Sequence, residues 1–429
     1  MKLSYCIALI LATANVLCAQ PKPTNYDEAK VGNYTLPNPL LCSDGTHVTD
    51  KKTWIEKRRP EVLRLFETQV YGRQASKLAG QKFEVIATDA KALGGKATRR
   101  EIAIYLTGKK DGPRIDLLLF VPNGAKQPAP AFLGCNFNGN HAVHGDKGIS
   151  LSTRWMRSTA DKINVVNNRA TEASRGSEAS RWQVEEVIAR GYALATYYYG
   201  DVEPDHVEGW KDGLRAALSK DGANTQWKGD EWGAIGAWAW GLSRALDYLE
   251  SDKAVDAKRV AVIGHSRLGK TSLWAGASDE RFALIISNNS GEGGASISRR
   301  DYGETIAVLN KNFPHWFCGN YKQYTDNAAA LPVDMHMLVA LGAPRPVYIA
   351  SAEDDKWADP NGEFLAAKHA EPVYSLFGKK GTGVAAHPRV NQPVGDTLGY
   401  HVRTGKHDVT LYDWQRFLDF ADRHLARKK

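Results

Sequence analysis

The sequence predicts an α/β protein built on one mostly parallel sheet with helices on both faces. Three observations carry that expectation. From about Thr53 to the end, short β-prone apolar runs alternate with amphipathic helical ones, the pattern of a parallel sheet covered on both sides. The run Arg259-Val-Ala-Val-Ile-Gly264-His-Ser266-Arg-Leu-Gly-Lys270 reads as a strand, a tight turn and a helix in succession. Two long polar, Gly- and Asn-rich connections, 136–175 and 291–331, each follow a strand end, where open α/β sheets place their sites.

Taken in chain order, strands are expected at 116–121, 131–135, 192–198, 260–263, 283–287 and 346–351. Each is a short apolar run bounded by turn-forming residues. A helix is expected at 180–189, with Trp182, Val187 and Ile188 on its apolar face. A longer one at 232–249 repeats Ile235, Trp238, Ala239, Leu242, Leu246 and Leu249 near a 3.6-residue period. The last, 412–425, repeats Trp414, Phe417, Leu418 and Ala421. No repeat or low-complexity segment interrupts this order, so 53–429 is read as a single domain behind an extended, Pro- and Asn-rich lead-in at 20–52.

Residues 1–19 read as an export signal: Lys2, an apolar stretch from Ile7 to Leu17 too short to span a bilayer, and a small residue for cleavage at Ala19. A periplasmic or secreted protein follows. Leu17 ahead of Cys18 argues against lipoprotein anchoring, and no later stretch is apolar for long enough to cross a membrane. Cys42, Cys135 and Cys318 remain in the mature chain and permit at most one disulfide. The net charge of +8 is spread among interleaved acids, without the basic arm or motif of a nucleic-acid binder. An exported basic protein with 12 Trp and 17 Tyr suits acidic polysaccharide instead.

Ser266 stands at the apex of the strand–turn–helix run. The usual nucleophile elbow is G-x-S-x-G; here Gly264 fills the first glycine, Leu268 the second, and Gly269 follows one place later. An ordinary βα turn with a surface serine is the alternative. A serine needs a base and a group that orients it. In the chain order serine, acid, histidine, the base belongs in a loop before the last helix; His407 fits best, with His401 and His387 as rivals. Three carboxylates, Glu353, Asp354 and Asp355, compete for the acid after the strand 346–351, and Glu292 lies beyond the strand 283–287. Arg267 offers its backbone N–H and side chain to a developing oxyanion, and Lys270 lies one helical turn after Ser266. His141 and His144 could be read as a metal pair, but they lack a third ligand, so no metal or cofactor is expected.

Gly264-His-Ser-Arg-Leu-Gly-Lys270 resembles the bacterial branch of the glucuronoyl esterases, as do Arg281-Phe-Ala-Leu-Ile-Ile-Ser-Asn-Asn-Ser-Gly291, Asn138-Gly-Asn-His141 and Tyr199-Gly-Asp201. Arg299-Arg-Asp-Tyr-Gly-Glu304, Phe313-Pro-His-Trp316, Trp357-Ala-Asp-Pro360 and Arg403-Thr-Gly-Lys-His-Asp408 extend the resemblance from about Leu40 to the C-terminus. It implies an α/β-hydrolase fold and hydrolysis of the ester between 4-O-methyl-glucuronate of glucuronoxylan and lignin alcohols, without cofactor or metal. It implies Ser266 as nucleophile, His407 as base, Arg267 at the oxyanion, and Lys270, Glu304 and Trp357 on the sugar. Many members of that family carry a catalytic glutamate where Asn289 stands, whereas some, similar to this chain, use an acid after the later strand; the resemblance then points to Asp355 as the acid, with Glu292 in reserve. A monomer is expected. The alternatives are another carbohydrate esterase, such as an acetyl esterase, or a non-catalytic carbohydrate-binding descendant of the fold.

Overall fold

A computed structural model describes residues 23–158, 164–218 and 229–426. The expected export signal at 1–19 lies outside the described residues. The chain forms ten strands: β1 (Lys82–Lys91), β2 (Ala97–Tyr105), β3 (Arg114–Pro122), β4 (Ala129–Asn136), β5 (Ala193–Tyr198), β6 (Val255–His265), β7 (Leu284–Asn288), β8 (Val347–Ala352), β9 (Val394–Gly395) and β10 (Leu398–Arg403). They make one sheet in the order β1-β2-β3-β5-β4-β6-β7-β8-β10-β9. Strands β5, β4, β6, β7, β8 and β10 run parallel, β1 to β3 join them antiparallel, and β9 closes the other edge antiparallel.

The six expected strands are all present, and the reason they were visible is their burial on both faces. Leu117, Leu119, Leu133, Val262, Ile285 and Ile349 point into one core, beneath the helices Ala234–Ser251, Arg267–Ser278 and Pro360–Leu376. Leu118, Phe132, Ala261, Ile263, Ile286 and Ala350 point into the other, beneath Val184–Ala189 and Leu411–Leu425. The period of two along each strand gives the alternation, and two apolar layers turn it into an unbroken apolar run. Strands β1, β2 and β9 were not foreseen, and β10 showed only as a strand-like run at 400–403. β1 is an edge strand that buries no residue fully, and its short apolar run, Val85-Ile86-Ala87, lies among charged residues. β10 brings His401 and Arg403 into the core and offsets them with Asp413.

Helix boundaries shift where backbone geometry intervenes. The helix expected at 180–189 is two short ones, Ala179–Trp182 and Val184–Ala189, because Gln183 takes a left-handed conformation at φ 42°. The one expected at 232–249 begins at Ala234, whose N–H and that of Ile235 donate to the carbonyls of His315 and Trp316. The last helix, Leu411–Leu425, starts at a capping box in which Thr410 and Asp413 satisfy each other's backbone N–H groups. Cys42, Cys135 and Cys318 are all buried and free, so the one disulfide that their number allowed is not formed. Among the described residues, no helix is long and apolar enough to cross a membrane.

The turn from β6 into Arg267–Ser278 is the tightest point of the fold. Ser266 sits at φ 57°, ψ −130°, a strained conformation for a side chain with a Cβ. Its N–H donates to the Asn288 carbonyl at the end of β7, 2.9 Å away, which holds the strain in place. A Cβ on Gly264 would lie 1.8 Å from the Leu268 carbonyl oxygen, so the first glycine is obligatory. Leu268 itself is buried without conflict; the helix instead approaches β7 at Gly269, where a Cβ would stand 3.0 Å from the Ser290 Cβ. The displaced second glycine is therefore a consequence of where this helix meets its neighbour. Gly264→Ala should cost about 3 kcal/mol or more in a chemical-denaturation measurement, and Gly269→Ala, with a softer contact, clearly less.

Candidate active site

The carboxyl ends of β6, β7, β8 and β10 lie side by side, and each delivers one part of the site. β6 ends in His265 and the elbow; Ser266 is half-buried there, and its hydroxyl makes no hydrogen bond among the described residues. The loop after β10 brings the His407 ring to 4.5 Å, centroid to centroid, from the His265 ring beside Ser266. The turn after β8 supplies Asp355, whose Oδ2 accepts the His407 Nδ1–H at 2.6 Å. Position β7 plus one supplies Asn289, whose amide Nδ2 donates to the same Asp355 oxygen at 2.7 Å.

The competing groups are elsewhere. His401 is fully buried and bonded to both Asp413 and Tyr348, at 2.9 Å each, and His387 faces the Tyr400 hydroxyl at 3.0 Å. Glu353 and Asp354 are exposed, whereas Asp355 is buried. Glu292 turns away from His407: its Oε1 accepts from the Ser298 and Tyr321 hydroxyls at 2.7 and 2.6 Å. With the carboxylate on Nδ1, the His407 Nε2 is the nitrogen left to accept a proton. His265 stays neutral, because burial, with His407 adding to it, pushes it well below the usual imidazole range.

Arg267 does not project freely into water. It pairs with Asp205 and its guanidinium lies over the rings of Trp316, Phe313 and Phe137, at 4.8, 5.6 and 5.8 Å. Asp205 also accepts from Trp316 Nε1, His315 and the Tyr199 hydroxyl at 2.7, 2.8 and 3.1 Å. Burial by itself would raise this carboxyl, but the His315 hydrogen bond and the Arg267 charge outweigh it and hold Asp205 well below the usual carboxylate range. The guanidinium is thus fixed in place beside the elbow. Sequence reading did not single out Asp205, although its position just after β5 placed it at the correct sheet edge.

Lys270, Glu304 and Trp357 form a chain. Lys270 is buried and spends all three donors at 2.6 Å on the Ser290 and Glu292 carbonyls and Glu304 Oε2. Glu304 Oε1 accepts from the Trp357 indole at 3.2 Å, and Trp357 is 37% exposed. Of the three, only Trp357 presents a broad face outward; Lys270 and Glu304 are both buried, and Glu304 links the ammonium to the indole. His141 and His144 bond separately, to Ser174 and Glu185, and among the described residues no group of three or more His, Cys, Asp or Glu could hold a metal.

The chain that carries this arrangement is similar along most of its length to known proteins. The chain is 50% identical over 98% of its length to carbohydrate esterase MZ0003 of an unidentified prokaryote, covering 98% of that protein. The glucuronoyl esterase of Solibacter usitatus superposes with a TM-score of 0.88 at 53% identity, over 93% of this chain and all of that one. The 4-O-methyl-glucuronoyl methylesterase of Neurospora crassa is 36% identical over 86% of this chain and 82% of its own. The family described as glucuronyl esterase of fungi matches residues 221–378. The chain belongs to the glucuronoyl esterase family.

Within this glucuronoyl esterase, the departure at Asn289 acquires a physical meaning. The amide occupies the place where the resemblance leads one to expect a glutamate and donates to Asp355, the carboxylate just past the next strand. Asn289 is held at φ 46°, with its N–H on the Ala350 carbonyl at 2.7 Å, so the amide has little freedom to turn away. Burial pushes the Glu292 carboxyl up to about 8, so it is protonated at neutral pH. Because that value lies above the one in the unfolded chain, its stabilising contribution is complete below about pH 4.5 and is lost as pH rises through 8. Glu292→Gln should therefore keep esterase turnover within about threefold, since it lies outside the His407 pair, and should flatten the fall of Tm between pH 5 and 9.

Proposed function

We propose that this chain is an exported serine esterase that cleaves the ester between 4-O-methyl-glucuronate of glucuronoxylan and a lignin alcohol. The observation that carries the reading is the Asp355–His407 pair, 2.6 Å apart, with the His407 ring packed against that of the residue before Ser266. The names of the relatives support the acid half of the ester, and the aromatic surfaces at Trp357 and around Arg267 support a bulky alcohol.

The Ser266 hydroxyl turns toward His407 Nε2, gives up its proton and attacks the ester carbonyl carbon. Asp355 holds the ring and stabilises the imidazolium, and Asn289 holds Asp355. As the carbonyl oxygen becomes an alkoxide, the backbone N–H of Arg267 at the helix start and the fixed guanidinium face it. Collapse of the tetrahedral intermediate expels the alcohol, which takes its proton from His407. Water then gives a proton to His407, attacks the glucuronoyl-serine, and the acid and free Ser266 are released. Trp357 covers the sugar ring, and the Lys270–Glu304 pair sets the hydroxyl contacts. Because Asp205 keeps its charge far into acid, the Arg267 pair remains charged over the whole working range.

Release of benzyl alcohol from benzyl glucuronate tests this, with acetylated xylan as the contrasting substrate. Ser266→Ala should abolish turnover. Asp355→Asn should lower kcat by about 10³–10⁴-fold with the fold intact. Arg267→Ala should lower kcat by about 10²–10³-fold, and a rise in KM alone would contradict its oxyanion role.

A further inference from the structure

The turn that carries Trp357 has a second side. Lys356, its neighbour in sequence, lines a separate groove of about 490 Å³ between that turn, the N-terminal segment and the loop at 387–390. Only a thin wall divides this groove from the proposed sugar site. Gly303 packs so closely against the Lys356 and Trp357 carbonyls that a Cβ would lie 2.5 Å from each, and the Glu304 N–H donates to the Trp357 carbonyl at 2.8 Å. The N-terminal segment braces the wall: the Asn25 carbonyl accepts from Gly303 at 2.8 Å, and Glu28 accepts twice from Arg300, at 2.8 and 2.7 Å.

The chemistry of the groove is specific. Pro360, Pro388 and Val390, all half-buried, give it an apolar surface, while Lys356, Arg389 and Glu353 supply charge. Glu28, the other acid there, is neutralised by Arg300. Neither the Lys356 ammonium nor the Arg389 guanidinium has an ion-pair or hydrogen-bond partner among the described residues, and both are exposed. An apolar surface suits the face of a sugar ring, Glu353 can accept from its hydroxyls, and two unpaired cations suit a carboxylate.

We infer that this groove is a second subsite, which takes a free uronate carried on the same polysaccharide chain as the ester being cleaved. The inference rests on the esterase reading above. Lys356 and Trp357 are consecutive residues of the dividing turn, so a polysaccharide held at Trp357 has the groove within reach over the rim of that wall. The enzyme then favours stretches of xylan that carry several uronates over isolated ones.

The test uses a xylo-oligosaccharide with two glucuronates, one benzyl-esterified and one free, beside the same oligosaccharide with the ester alone. Arg389→Glu should raise KM for the doubly substituted substrate about tenfold, with kcat unchanged, and should leave the singly substituted one and benzyl glucuronate unaffected. No change on the doubly substituted substrate, or an equal rise on all three, overturns the subsite. Calorimetric binding of the fully de-esterified oligosaccharide to wild type and Arg389→Glu separates the two readings: loss of binding in the variant supports the groove even if benzyl glucuronate is not turned over, and unaltered binding refutes it even if the ester is cleaved.

Discussion

One carboxylate oxygen joins the ends of three strands. Asp355 Oδ2, just past β8, accepts from Asn289, just past β7, and from His407, past β10, at 2.7 and 2.6 Å. Both donors are needed by the geometry. The buried carboxylate requires hydrogen bonds in place of the water it has lost, and the imidazole requires an acceptor on Nδ1 to fix its tautomer. Because β7, β8 and β10 are neighbours in a parallel sheet, their carboxyl ends lie at the same edge, and the bond follows from strand order without any long excursion of the chain. The same logic explains how the acid can reside after either of two strands: the sheet offers adjacent positions, and the unused one becomes a support.

A second buried anion organises the opposite wall. Asp205 draws together Tyr199 after β5, Arg267 after β6, and His315 and Trp316 from the long connection between β7 and β8. A charged pair this deep is costly unless its remaining lone pairs are satisfied. Here they are, and the result is a guanidinium that cannot swing out into solvent. Rigid placement matters for an oxyanion donor because it avoids reorganisation while charge develops.

The parts of the fold that could be read from the sequence were those under two-sided burial. The strands expected at 116–121 and 260–263 lie inside observed ones and 346–351 overlaps Val347–Ala352, because nearly every residue had to be apolar, whichever face it took. The edge strand β1 had no such constraint, and β10 showed only as a strand-like run at 400–403 because it carries His401 and Arg403 inward to meet Asp413. The elbow was visible in spite of its displaced glycine, since strand, turn and helix followed in order. Choosing among His387, His401 and His407, or among Glu353, Asp354 and Asp355, needed burial and partners that spacing does not encode. Asp205 escaped because an aspartate in a polar loop looks the same whether it solvates a turn or gathers four side chains.

The clasp of Asn25 and Glu28 on the loop leading to Glu304 has a practical corollary for handling the protein. A fusion partner or affinity tag joined just ahead of Asn25 hangs beside the mouth of the cleft, where it competes with bulky polymers for room. The other end of the chain is better placed: Arg259, at the entrance of β6, bonds to the Leu425 carbonyl and to Pro128 ahead of β4, so the final helix ends at the opposite rim of the sheet. Immobilising the molecule through that terminus leaves the cleft facing away from the support.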